Sequence, residues 1–153
     1  MKQLRGYFAA AVLAVSACAS GNQPPPFQTV ADTDVLMESV IEPNADVIWL
    51  SVGTIVSAAG EEHIRPQTEE EWTKVRNAAV AVSEAGNLLM MVPRARDGDE
   101  WMRLSKAMVD TGAEAIKAAE AKDPDAMFEA GAQIYAVCSN CHAKYDPSIS
   151  RVQ

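Results

Sequence analysis

The sequence predicts an all-α protein, an antiparallel four-helix bundle. Three observations carry the prediction. The composition leans helical: Ala, Glu, Met and Lys are plentiful, only 8 of 153 residues are glycine, and aromatics make up 6%. Apolar residues recur at helical spacing in four separate segments, with no convincing run of strand-like alternation. The connections between those segments are mostly short, as antiparallel neighbours require. A chain of this length forms a single domain and buries a real core.

The first residues precede that domain. Lys2 and Arg5 make a positive leader, and Tyr7–Ala17 is an apolar stretch too short to span a bilayer comfortably. Val15-Ser16-Ala17-Cys18 has the form of a bacterial lipobox, in which Cys18 is lipidated and becomes the first mature residue. Ala17-Cys18-Ala19 alternatively forms an A-x-A site for ordinary signal peptidase. The lipobox also accounts for the third cysteine of an exported chain. Residues 1–17 are therefore expected to be a leader, and 18–31, with Pro24-Pro25-Pro26, a tether holding the domain off a membrane. The helical domain occupies 32–153.

The first helix is expected over about Asp34 to Ala59, with Met37, Ile41, Ile48, Val52 and Ile55 on one face. Pro43 should kink it or split off a leading turn, and Gly60 should stop it. The second helix opens at Thr68-Glu69-Glu70-Glu71, a capping box. Its stripe is Trp72, Val75, Ala79, Val82, Gly86 and Leu89, and Pro93 marks its end. The third follows Asp97-Gly98-Asp99, with Trp101, Leu104, Met108, Gly112, Ala115 and Ala119 on its face. Asp123-Pro124 places a cap before a proline at the first helical position of the fourth. That helix runs to about Tyr145 with Met127, Gly131, Ile134, Cys138 and Cys141 in line. Gly86, Gly112 and Gly131 are read as close helix packing.

The last helix carries Cys138-Ser139-Asn140-Cys141-His142, a C-x-x-C-H. On a helix, Cys141 lies about 300° and His142 about 40° round from Cys138, so all three fall within an arc of roughly 100°. Covalent haem c needs that grouping, with two thiols to add to vinyl groups and an adjacent imidazole to ligate iron. A thioredoxin-type dithiol expects a βαβ setting and a cysteine at a helix N-terminus. A structural zinc needs four ligands, and only His63 remains as a further donor if Cys18 is lipidated. An export signal delivers the chain to the compartment where haem c is attached, which favours the haem reading.

With its export signal, four helical segments and CSNCH on the last, the chain resembles the class II cytochromes c, the cytochrome c′ and cytochrome c-556 group, over about Asp32 to Tyr145. Tyr145 matches the aromatic residue often found after the motif in that group. Asp146 stands where a basic residue commonly follows, with Lys144 and Arg151 nearby. The resemblance implies an up-down-up-down bundle with one covalent haem c wedged between helices and His142 as proximal iron ligand. It also implies that a methionine of the first helix either takes the sixth position, giving an electron carrier, or leaves it open, giving a binder or sensor of small gases such as NO and CO.

Met37 lies where such a ligand would fall. His/Met ligation raises the potential; core filling is the plain alternative for a methionine on an apolar stripe. The basic residue often found before that methionine is replaced by Thr33 and Asp34, and Met90 and Met91 are further candidates, though they sit beside Leu88 and Leu89 in core-like surroundings. Arg94 and Arg96 are candidate propionate contacts, with ordinary surface charge as their alternative. Trp49, Trp72 and Trp101 are read as core or haem-facing wall. The expected function is one-electron transfer in a periplasmic chain, without substrate chemistry. A weak peroxidase would need a distal acid–base group, and His63 in the acidic loop Glu61-Glu62-His63 is a poor one. Loss of residues 1–17 takes the formal charge from −8 to −10. That acidity excludes nucleic acid as a partner and suits a basic redox protein, with ordinary surface acidity for solubility as the plainer alternative. Cytochromes of this group often pair through helix faces, and no patch in the sequence singles out a homodimer.

Overall fold

The computed structural model describes residues 27–146. The leader, Cys18, most of the tether and Arg151 lie outside the described residues. Inside them the chain is a helical bundle with one small antiparallel hairpin.

The first helical segment is built differently from the expected continuous helix to Ala59. It comprises α1 (Thr33–Leu36), a π turn (Met37–Ile41) and α2 (Glu42–Trp49). Asp32 caps α1, its carboxylate accepting from the Val35 N–H at 2.9 Å. Pro43 explains the π turn. A proline lacks an N–H and its ring clashes with the carbonyl four residues back, so regular α geometry through it is costly. The wider turn, in which the Glu42 N–H reaches the Met37 carbonyl, lets the chain enter α2 with Pro43 in its first turn. The Asn44 amide donates to the Val40 carbonyl at 2.7 Å, satisfying an acceptor near the break.

Residues 53–64 correct the expectation of helix. They form β1 (Gly53–Ser57) and β2 (Gly60–Ile64), paired from Gly53 with Ile64 to Ser57 with Gly60. Thr54-Ile55-Val56 is a β-branched run, which disfavours helix and suits extended backbone. Gly60, expected to stop a helix, adopts φ +127° just after the Ala58-Ala59 turn. Ile55, counted on the helical stripe, is 50% exposed, whereas Val52 before it is buried.

The remaining helices, α3 (Glu69–Leu89), α4 (Glu100–Ala121) and α5 (Pro124–Tyr145), begin close to their sequence signals. The capping box is formed: the Glu71 N–H donates to Thr68 Oγ1 at 3.2 Å while the Thr68 N–H donates to Glu71 Oε2 at 3.1 Å. Asp123 caps α5 ahead of Pro124. The stripe residues of α3 and α4 are all buried, as are Met127, Gly131, Ile134 and Cys141 on α5. Helix α3 packs on α4, α4 on α5, and α2 on both α3 and α5.

Small residues set the α3–α4 spacing. A Cβ on Gly112 would meet the Ser83 backbone Cα at 2.8 Å, and one on Gly86 would meet the Ser105 carbonyl oxygen at 2.7 Å. The Ser83 hydroxyl donates to the Val109 carbonyl at 2.9 Å across the seam. Pairing of 83 with 112 and of 86 with 105 and 109 shows the two helices to be antiparallel. Gly131 differs, since its Cβ would meet the Trp49 ring at 3.4 Å and the Ile48 side chain at 3.7 Å, both ordinary contacts. Gly112→Ala is therefore expected to destabilise by about 1–3 kcal/mol through overpacking. Gly131→Ala should be neutral or stabilising by up to about 1 kcal/mol through helix propensity. Denaturant unfolding of the two variants measures the contrast; equal losses would overturn this account of the seam.

Candidate functional site

The C-x-x-C-H occupies the last two turns of α5. Cys141 is buried at 8% exposed, and Cys138 and His142 are half-buried. Both thiols are free. Burial pushes the Cys138 thiol up to about 11, and the nearby Cys141 sulfur adds to the effect. Burial raises Cys141 as well, against the pull of the Arg96 charge. The negative end of a helix dipole lies at this terminus and also disfavours thiolates. A dithiol exchange site needs a depressed pKa, so this pair is poorly suited to it. Among the described residues no group of three or more His, Cys, Asp and Glu side chains is placed to hold a metal ion. Two thiols and one imidazole on one helix face could hold a covalent haem, and among the described residues no further His, Cys, Asp or Glu is grouped with them to complete a protein-only metal site.

Around the motif stands a wall that sequence reasoning only partly anticipated. Tyr145 packs edge-on against Trp101 with ring centroids 5.0 Å apart, and its hydroxyl donates to Asp97 Oδ2 at 2.5 Å. Trp101 is 2% exposed and donates its indole N–H to the Leu89 carbonyl at 2.8 Å. Asp97 also accepts from the Trp101 backbone N–H at 2.9 Å. The Tyr145 bond and then the Trp101 bond hold the Asp97 carboxyl below its ordinary value. Removal from water and the Asp97 bond push the Tyr145 phenol up to about 12. Asp97-Gly98-Asp99 read in sequence only as a helix start; its role as acceptor for Tyr145 depends on a contact 48 residues long.

The two candidate arginines separate. Arg96 lies over the Trp101 ring, 5.6 Å from its centroid, and its charge reaches Cys141. Arg94 turns away from the surface: it is 7% exposed and gives its N–H groups to the Ala31 and Leu88 carbonyls. It therefore works on backbone, and Arg96 is the arginine at the motif. Lys144 sits over the Tyr145 ring at 5.5 Å.

Met37 opens the π turn and is half-buried against the core. The Arg94 link to Ala31 puts the start of α1 beside the α3–α4 loop, and the Tyr145–Asp97 bond puts the end of α5 beside that same loop. Met37 and His142 thus share one end of the bundle. Close packing between the first and last helices is made by α2, where the Trp49 indole donates to the Gly131 carbonyl at 3.0 Å; the π turn packs on α3. Trp72 is buried in the core, and Trp49 meets Tyr135 edge-on. His63 lies on the hairpin with its Nδ1 bonded to the Thr54 hydroxyl, away from this end. Met90 caps the C-terminus of α3.

Asp97 generates a pH prediction. A carboxyl whose folded pKa is depressed contributes stability above its unfolded value, about 3.9, and loses it as pH falls through the folded value. Asp97→Asn should lower the urea midpoint at pH 7, and the gap to the parent should narrow towards pH 3. A gap that stays constant with pH would sink the assignment. Compared with protein-family models, with curated proteins and with solved structures, the chain matches none.

Proposed function

We propose that the chain is an exported monohaem c-type cytochrome that carries single electrons, built like the class II cytochromes c. The observation that supports this best is the grouping of Cys138, Cys141 and His142 on the last turns of α5, at the same end of the bundle as Met37. Bound haem c would supply a one-electron Fe(III)/Fe(II) couple. Cys138 and Cys141 would hold it as thioethers, each S–H adding across a vinyl group, and burial keeps both thiols in the protonated form that this addition consumes. His142 would ligate the iron, and Met37 would supply its sixth ligand. Arg96 would meet the propionates, and Trp101 and Tyr145 would keep water from the thioether edge. A formal charge of −8 in the whole chain suits a basic redox partner.

A second reading keeps the haem and leaves the sixth position open for a small gas. It is favoured by the packing of the π turn on α3 and by the half-burial of Met37. Spectra of the purified protein decide between them. Electron transfer predicts covalent haem that is low-spin in both oxidation states, with a methionine–iron charge-transfer band and slow binding of carbon monoxide. Met37→Ala should abolish the band and open the site. Cys138→Ser with Cys141→Ser should abolish covalent haem; haem-free protein from a host competent in cytochrome c maturation would end the whole proposal.

The leader and Cys18 place the domain, in this reading, on the periplasmic side of a membrane through a lipid on Cys18. No helix among the described residues is long and apolar enough to cross a membrane. Cys18→Ser is expected to move the protein from the membrane to the soluble fraction, and unchanged fractionation would remove the anchor.

A further inference from the structure

Arg94 is the one charged side chain among the buried described residues. A guanidinium stays protonated in a protein and carries only donors, so its burial requires acceptors. Arg94 finds them in main chain. Its Nε and Nη2 converge on the Ala31 carbonyl at 3.1 and 2.8 Å, and Nη1 reaches the Leu88 carbonyl at 3.1 Å. The forked bond crosses 63 residues of sequence.

Ala31 immediately precedes Asp32, the cap of α1. That helix has four residues, too few to persist alone, and the π turn begins at the next residue, Met37. Leu36, 3% exposed in the core, and the Arg94 fork hold this first turn from outside it, and the π turn that follows packs on α3. The other side of Arg94 is tied to the end of α5. Leu88 precedes Leu89, whose carbonyl takes the Trp101 indole, and Trp101 supports Tyr145 at the end of α5. One guanidinium therefore links the backbone just ahead of α1 to the frame that holds Tyr145, three residues past His142.

We propose that Arg94 is the positioning residue for Met37, holding the first helical turn at the motif end of the bundle. The consequence for iron coordination rests on Met37 being the sixth ligand; the hold on the turn itself does not. Arg94→Gln in the haem-loaded protein should speed amide exchange at Val35, Leu36 and Met37 roughly tenfold or more. It should also weaken the methionine–iron band and raise carbon monoxide affinity by a similar factor. Arg94→Lys keeps the charge and can reach one carbonyl but not both, so it should restore part of each readout and serves if the glutamine variant fails to fold. Gly112→Ala, which strains the α3–α4 seam instead, should lower stability and leave both readouts unchanged. Unaltered exchange in both Arg94 variants would overturn the proposal, and so would faster exchange with an undiminished band. If Met37→Ala leaves the parent spectrum intact, the ligand assignment fails, and exchange alone then decides the role of Arg94.

Discussion

One loop, between α3 and α4, carries the interactions on which the placement of everything else depends. Arg94 and Asp97 lie three residues apart in it. The first holds the backbone just ahead of the first helix, and the second holds the side chain of the last helical residue of α5. Arg94 makes its bonds out of water, where a hydrogen bond to a charged group contributes about 1.5–3 kcal/mol and leaving it unmade would cost more. The loop thereby gathers the start and the end of the helical domain at one end. Without that gathering, Met37 and the C-x-x-C-H would be two unrelated features of the sequence.

The rest of the bundle is set by close packing of its helices. Glycine and serine let α3 and α4 approach until backbone touches backbone, and the Ser83 hydroxyl spends its donor on a carbonyl across the seam. Trp101, Trp49 and Trp72 each bring a large apolar body, and the first two also satisfy an indole N–H on a main-chain carbonyl. No buried side-chain polar atom among the described residues lacks a partner. A wall so satisfied has little freedom to move. The π turn is the irregular stretch of the helical segments, and it begins at the same end as the C-x-x-C-H. Pro43 imposes it, so the irregularity has a covalent cause and does not depend on a bound group.

Legibility in the sequence followed the range of the interactions. The starts of α3 and α5 were readable because their signals are local: Thr68 and Glu71 are three residues apart, and Asp123 adjoins Pro124. The stripes of α3 and α4 were readable because burial repeats with the helical period. The hairpin was missed because Val52 and Ile55 fit a helical stripe in spacing, although the β-branched run and the Ser57–Gly60 turn were present to be read. The two arginines could not be told apart, since their sequence surroundings are alike and only the fold turns one inward.

The sequence by itself determined the helical character, the capped starts of α3 and α5, and the three side chains of the C-x-x-C-H with their common direction. Each of these follows from 3.6-residue geometry and contacts within a turn or two. Tertiary structure alone decided which arginine stands at the motif, which acceptor holds Tyr145, and at which end Met37 lies. Those answers rest on bonds between residues 48 and 63 positions apart. No local propensity encodes a partner at that distance; it is selected only when the packed helices bring both groups out of water together.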